Sequence, residues 1–129
     1  MNQIDVVAAV IINENNEILI ARRKQNISNG GKWEFPGGKL EKGETHEMAL
    51  ERELLEEFNI ITKTGKYIGS KTHTKDKISI NLYVYFSTFI SGNFELSDHD
   101  KITWENAQNL KKIDFSDADI HFVKMLQTD

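Results

Sequence analysis

The clearest hydrophobic pattern in the chain is a strict alternation over Ile78–Phe86. A period of two residues is typical of a half-buried β-strand. The alternation places aliphatic side chains on one face of this strand and Asn81, Tyr83 and Tyr85 on the other. The two tyrosines either line a cleft or cover a face of a sheet, and the pattern leaves both interpretations open.

Two segments near the N-terminus predict a hairpin. The nearly continuous apolar run Val6–Ile12 is typical of a strand buried on both faces. Asn13–Asn16 then predicts a tight turn, and Glu17–Arg22 predicts the returning strand. Further short strands are predicted at Trp33–Phe35, Ile60–Ser70 and Thr103–Trp104.

Three polar segments are predicted to be loops. Gln25–Lys32 is polar and glycine-rich, which is typical of a mobile loop able to fold over a ligand. Thr72–Lys77 is expected to expose His73. In Asp98–Asp100, His99 is expected to be an ordinary loop histidine, with a role as a base as the alternative.

A helix is predicted after Thr45, because Leu50, Leu54 and Phe58 form an apolar stripe at i, i+4 and i+8. Thr45 is a favourable N-cap, and Asn59 tolerates the left-handed conformation in which many helices end. A helical turn is expected at 106–110 and a second helix at 120–126. The element order predicts an α/β (α+β) fold, a mixed sheet flanked by two helices, in a single domain of residues 1–129.

The first helix and the turn before it carry the candidate chemistry. Pro36-Gly37-Gly38 predicts a turn that exposes backbone carbonyls and amides to a metal or a phosphate. Glu53, Glu56 and Glu57 lie at i, i+3 and i+4, where repulsion opposes the helix by roughly 0.2–0.5 kcal/mol per pair. A hard divalent cation such as Mg²⁺ would offset this repulsion. The alternative is an ordinary solvated face rich in glutamate.

Composition and charge exclude several classes of protein. The chain has no cysteine, so disulfide frameworks and thiolate zinc sites are excluded and a reducing compartment is favoured. No apolar run is long enough for a membrane span, and the N-terminal MNQIDVV resembles no signal peptide, so a cytoplasmic protein is expected. The net charge of −4 argues against duplex nucleic acid as a partner and favours mononucleotides that arrive with a metal.

The spacing of the acidic segment resembles the Nudix box. Gly38 is followed after five residues by Glu44, after seven more by Arg52-Glu53-Leu54-x-Glu56-Glu57, and then by Ile60. Asn59 stands where that family usually has glycine. The segments INENNEILIARR, WEFPGGK and DFSDAD resemble the MutT-like branch, so the resemblance covers essentially the whole chain. It implies a Nudix α/β/α sandwich.

The resemblance implies a phosphoanhydride hydrolase that uses Mg²⁺, with Mn²⁺ as a possible substitute. It assigns the metal to Glu53, Glu56, Glu57, the carbonyl of Gly37 or Gly38, and Asp98. Glu53 would take the proton from the attacking water, with Asp98 as the alternative base. Arg52 would orient one of the carboxylates, and Lys39 would meet a phosphate.

The resemblance also implies a pocket for a nucleobase. Its substrate-binding residues would be Arg23, Glu34, Phe35, Pro36, Gly37, Lys39 and Asp119. For Asp119 the alternative is a helix-capping role in the pattern S-x-x-D that begins at Ser116. The implied reaction converts a nucleoside triphosphate to the monophosphate and pyrophosphate in a monomeric protein. An oxidised purine, 8-oxo-dGTP, is the first choice of substrate, with CTP, dCTP or a 5-modified pyrimidine triphosphate as the alternative. A nucleotide-binding sensor without catalysis is the alternative of another class.

Overall fold

A mixed β-sheet of seven strands forms the centre of the molecule in the computed structural model, which describes residues 2–127. The main path of the sheet runs β3-β2-β1-β6-β5, while β4 pairs with β1 and β7 pairs with β2. Strands β1 and β6 are parallel, and the other pairs are antiparallel. The strands are β1 (Asn2–Ile12), β2 (Ile18–Arg23), β3 (Trp33–Glu34), β4 (Gly37–Lys39), β5 (Ile60–Lys75), β6 (Ile78–Gly92) and β7 (His99–Glu105).

Strand β1 is covered on both faces, as its continuous apolar run predicted. Val7, Ala9 and Ile11 point into one hydrophobic cluster, while Ala8 and Val10 point into the other. Successive side chains of a strand point to opposite faces, so an uninterrupted apolar segment supplies both clusters at once.

Helix α1 (His46–Phe58) packs on one face of the sheet through the predicted stripe of Leu50, Leu54 and Phe58, which are all fully buried. Its ends also form as predicted. The Thr45 hydroxyl accepts the backbone N–H of Met48 at 3.1 Å, and Asn59 adopts a left-handed conformation with φ 58°.

A 3₁₀ helix (Ala107–Lys112) and helix α2 (Asp117–Leu126) cover the opposite face. Phe35, Phe115 and Phe122 fill the core on this side. The predicted mixed sheet with one helix on each face is therefore confirmed. No helix within residues 2–127 is long and apolar enough to cross a membrane.

The prediction of a loop at 72–77 was wrong. Strand β5 continues to Lys75, and only Asp76 and Lys77 form the turn, both with positive φ. Two left-handed residues make a hairpin turn whose twist matches the flanking strands. Hydrogen bonds join Thr72 to Asn81 and Thr74 to Ser79 across the two strands. The polar side chains that predicted a loop therefore form cross-strand pairs.

The prediction of a turn at Pro36-Gly37-Gly38 was also wrong for Gly37 and Gly38. Gly37–Lys39 is strand β4, which pairs with Val6–Ala8 of β1. Neither Gly37 nor Gly38 has a positive φ. A β-carbon at Gly37 would overlap the Val7 carbonyl, so glycine serves close approach here rather than a turn.

Tyr83 and Tyr85 cover the sheet face beside α1. The His46 ring lies 4.5 Å from that of Tyr83, and His46 Nδ1 lies 2.8 Å from the Tyr85 hydroxyl. Of the two interpretations left open by the sequence, the structure supports the covered sheet face.

Candidate functional site

Arg52 joins the helix α1 to strand β4. Its Nε and Nη2 donate to the two carboxylate oxygens of Glu44 at 2.7 and 2.9 Å. Nη2 also donates to the Lys39 carbonyl at 3.1 Å, and Nη1 donates to Glu53 at 3.0 Å. The planar guanidinium suits such a bidentate pair and leaves one edge for further acceptors. The segment that precedes α1, strand β4 and the middle of α1 are thereby fixed relative to one another.

The acidic face of α1 is partly neutralised by this arginine. Arg52 Nη1 lies 3.0 Å from Glu53 and 3.3 Å from Glu56. Burial raises the pKa of Glu53, the Arg52 contact opposes that rise, and the charges of Glu57 and Glu56 add to it. The sequence predicted that Arg52 orients a carboxylate, and the structure shows contacts with Glu44, Glu53 and Glu56.

Glu57 retains an oxygen that suits a cation. Its Oε2 is buried and has no hydrogen-bond partner within the part of the chain described. Burial raises the pKa of Glu57, and the charge of Asp98 raises it further. A buried carboxylate oxygen without a donor is costly unless a positive charge approaches it. The donor chemistry at Glu57 and Asp98 therefore fits a hard metal ion.

The acidic residues do not form a closed cage. Among residues 2–127, no group of three or more histidine, aspartate and glutamate side chains is gathered closely enough to hold a metal ion. Mg²⁺ commonly binds through one or two carboxylates and keeps several waters that substrate phosphates displace. An open set of carboxylates matches that mode of binding.

The ladder between β1 and β4 determines which glycine carbonyl is available. Ala9 donates to the Pro36 carbonyl, and Leu40 donates to the Asp5 carbonyl. Hydrogen-bonded pairs alternate along an antiparallel ladder, so Val7 and Gly38 form the pair between these two. The Gly37 carbonyl consequently points away from β1, on the same side as the Lys39 carbonyl that Arg52 binds.

A cavity of about 360 Å³ lies on the α2 side of the sheet. Residues of β1, β2, β3, β4 and β6, of the segment between β2 and β3 and of the start of α2 line it, and Gly38 of this lining also lies against the Glu53 carboxyl group. The predicted substrate residues that line it are Arg23, Glu34, Phe35, Gly37, Lys39 and Asp119. Pro36 is buried and is not among the lining residues, and its carbonyl accepts the backbone N–H of Ala9.

Asp119 is a buried carboxyl group in the wall of this cavity. Its Oδ2 accepts the backbone N–H of Phe35 at 3.3 Å and the Ser116 hydroxyl at 3.0 Å. Burial, with a contribution from the charge of Glu34, raises the pKa of Asp119 to about 8. The predicted capping box does not form, because the backbone N–H of Ser116 donates to the Trp33 carbonyl instead. Asp119 in the fold therefore holds a proton more tightly than a free aspartate, and a protonated carboxyl group is an O–H donor.

His99 was expected to be an ordinary loop histidine, with a role as a base as the alternative. It instead begins β7, is 3% exposed and stacks on Phe58 with ring centroids 4.9 Å apart. Its Nε2 lies 2.7 Å from Glu34 Oε2. The alternation of apolar and polar residues in the sequence did not predict that His99 is buried. A bulge opposite Arg22 and Arg23 changes the register of β7 and turns His99 inward.

The other predicted residues lie at the rim of the site. Arg23 donates to Glu34 at 3.2 Å and to the Ser28 carbonyl at 2.7 Å. Lys39 and Asp98 are exposed, at the cavity and near Glu57 respectively. One edge of the sheet thus brings together an acidic helix face, a lysine and a cavity with polar walls.

Comparison with known proteins finds relatives that are similar in sequence and in fold. The chain is 33% identical over 120 residues to the CTP pyrophosphohydrolase of Escherichia coli K12, covering 93% of this chain and 88% of that protein. It is 50% identical over 86 residues to the 8-oxo-dGTP diphosphatase of Proteus vulgaris, covering 67% of this chain and 77% of that protein. The solution structure of MutT from methicillin-resistant Staphylococcus aureus superposes with a TM-score of 0.78 at 36% identity, covering 99% and 98%. The NUDIX domain model matches residues 2–126, and the chain therefore belongs to the Nudix family.

Proposed function

We propose that this protein is a Mg²⁺-dependent nucleoside triphosphate pyrophosphohydrolase, which converts a nucleoside triphosphate and water to the monophosphate and pyrophosphate. The observation that carries the proposal is the contact between β4 and α1. Gly38 lines the cavity and also abuts the Glu53 carboxyl group. A nucleotide whose base occupies the cavity would thus have its phosphates at the acidic helix face.

Nudix hydrolases generally use a divalent metal, and here we assign Mg²⁺, with Mn²⁺ as a substitute. Glu53, Glu56, Glu57, the Gly37 carbonyl and Asp98 would hold it. The bound ion would neutralise phosphate charge and acidify water. Oε2 of Glu57 supports this assignment, because this buried carboxylate oxygen has no hydrogen-bond partner among the described residues and a cation would stabilise it.

Proton transfer is assigned to the carboxylates. Glu53 would accept a proton from water as the water oxygen bonds to phosphorus and the phosphoanhydride bond breaks, releasing pyrophosphate. Burial raises the pKa of Glu53 toward the working range of a general base, and Arg52 holds its position. Asp98 is the alternative base. Lys39, at the rim, would bind a phosphate.

Base selection is assigned to Asp119, Phe35, Glu34 and Arg23. A neutral Asp119 has both a donor and an acceptor, which complements a purine edge that carries a carbonyl beside an N–H. Buried polar groups discriminate strongly, because a mismatched base leaves them unpaired. This favours 8-oxo-dGTP as substrate, the activity named in the Proteus vulgaris relative, and a role in sanitation of the nucleotide pool.

The second candidate is hydrolysis of CTP, dCTP or a 5-modified pyrimidine triphosphate. It is favoured by the Escherichia coli CTP pyrophosphohydrolase, which is similar over 93% of this chain. An ionised Asp119 would accept from the exocyclic amine of cytosine. Pyrophosphate release measured over canonical, oxidised and methylated nucleoside triphosphates separates the two, because each predicts a different preferred base.

A non-catalytic nucleotide sensor is the alternative of another class. A sensor needs no spare carboxylate, whereas Glu53 is held by Arg52 against Gly38 of the cavity lining. A purified protein that binds nucleotide but releases no pyrophosphate with Mg²⁺ would favour the sensor. We further propose that the protein acts as a monomer in the cytoplasm.

A further inference from the structure

We infer that His99 is a positioning residue for base recognition, which fixes the Glu34 carboxylate so that its second oxygen meets the nucleobase. The inference rests on the proposed function, because it assigns a role in the same pocket. It concerns a histidine that contacts neither the phosphates nor the proposed metal in that function.

The contact with Glu34 joins one defined pair of atoms. His99 Nε2 lies 2.7 Å from Glu34 Oε2, and we assign the ring hydrogen to this nitrogen, so that it donates to the carboxyl group. Arg23 donates to the same oxygen, Oε2, at 3.2 Å. Both donors therefore hold one oxygen of Glu34, and Oε1 is left to accept from a ligand in the cavity that Glu34 lines.

The packing around His99 makes it a rigid support. The imidazole is 3% exposed and lies nearly parallel to the ring of Phe58, with an interplanar angle of 28°. Phe58 is fully buried and belongs to the same helix as the proposed metal ligands. A side chain locked by packing holds its partner within a narrow range of positions. Glu34 is thereby tied to the interior of the fold rather than to a surface loop.

Arg23 cannot replace this support. Its Nε donates to the carbonyl of Ser28, which lies in the polar segment between β2 and β3. Without the imidazole, Glu34 would keep one donor whose own position depends on that surface segment. The carboxylate would then be free to turn toward the guanidinium and pair with it through both oxygens. The acceptor for the base would be lost.

The experiment measures binding of base-bearing monophosphates by calorimetry in EDTA, so that neither a metal nor turnover contributes. The probes are 8-oxo-dGMP, dGMP and CMP, compared for the wild type, His99→Phe and His99→Gln. Phenylalanine keeps the ring on Phe58 but cannot donate, whereas glutamine keeps a donor. The matched control is His46→Phe, which removes the bond to Tyr85 while keeping the aromatic contact with Tyr83.

We expect His99→Phe to reduce the ratio of the largest to the smallest of the three dissociation constants about tenfold, because one oriented charged acceptor is lost. His99→Gln should recover most of that ratio, and His46→Phe should leave it unchanged. Equal weakening of all three ligands by His99→Phe, an unchanged ratio, or a wild type without base preference would overturn the inference.

A second measurement applies if His99→Phe does not fold. In the wild type, the ¹⁵N resonance of His99 Nε2 should shift on addition of the preferred monophosphate and stay unchanged with ribose 5-phosphate, which lacks a base. No shift with the monophosphate would overturn the inference. Pyrophosphate release is assayed separately, so a protein that selects bases but hydrolyses nothing would refute the proposed enzyme while leaving this role of His99 in place.

Discussion

Gly38 faces the carboxyl group of Glu53 so closely that a β-carbon at residue 38 would overlap it. The absence of a side chain at residue 38 therefore lets the Glu53 carboxyl group lie against strand β4. Gly38→Ala should displace Glu53 and lower kcat by about 10²-fold, since small misplacements of catalytic groups have effects of that order. Steady-state kinetics with the preferred triphosphate test this. Gly65→Ala is the control, because a β-carbon there makes only ordinary contacts. Equal activity of the two variants would contradict the account.

Arg52 and Glu44 provide a second test. Lysine cannot reproduce the two parallel bonds from Arg52 to Glu44 or the bond to the Lys39 carbonyl. Arg52→Lys should lower kcat by about 10- to 100-fold, because the arginine orients carboxylates without touching substrate. KM should change little. A kinetic series on Arg52→Lys checks this, and a large rise in KM with unchanged kcat would assign Arg52 to substrate binding instead.

Asp119 and Glu57 should affect different kinetic parameters. Asp119→Ala removes a group from the wall of the cavity and should mainly raise KM or relax base choice. Glu57→Ala removes the carboxylate whose Oε2 is buried without a hydrogen-bond partner among residues 2–127, and it should mainly abolish metal-dependent turnover. Both parameters are measured for each variant over a range of Mg²⁺ concentrations. Equal damage to kcat and KM by the two substitutions would refute this division of roles.

The buried carboxyl of Asp119 predicts a dependence of stability on pH. Its pKa rises from 3.8 to about 8 in the fold, so the folded chain binds the proton more tightly than the unfolded chain. This contribution is fully present below pH 3.8 and declines as the pH rises toward 8, by up to about 1.4 kcal/mol per pH unit. Asp119→Asn should gain stability relative to the wild type between pH 5 and pH 8. Urea unfolding at several pH values tests this, and parallel curves for the two proteins would contradict it.

Elements with local signals could be predicted from the sequence. The ends of α1 were correct because Thr45 and Asn59 act on neighbouring backbone groups. The strand β6 was found because its alternation survives in the fold, with Leu82 and Val84 buried on one face. The prediction that Glu53, Glu56 and Glu57 share one face of α1 likewise followed from local helix geometry.

Features that depend on distant partners could not be predicted. Gly37 and Gly38 suggested a turn, because the sequence does not show that their partner strand is β1. His99 turns inward through a bulge that only the pairing of β2 with β7 reveals. Asp119 accepts a hydrogen bond from the backbone N–H of Phe35, because an isolated β-bridge between Trp33 and Phe115 brings the two segments together. The two bridged residues are 82 positions apart in the sequence.

We propose that the carboxylates of α1 hold a divalent metal for cleavage of a nucleoside triphosphate. The most direct test of this role is release of pyrophosphate and monophosphate by the wild type and Glu53→Gln, with Mg²⁺ and with EDTA. Glu47→Gln is the control, because Glu47 lies exposed in the first turn. We predict release by the wild type and Glu47→Gln with Mg²⁺ only, and a loss of about 10²- to 10⁴-fold in a folded Glu53→Gln. Release that persists in EDTA, or full activity of Glu53→Gln, would contradict the account.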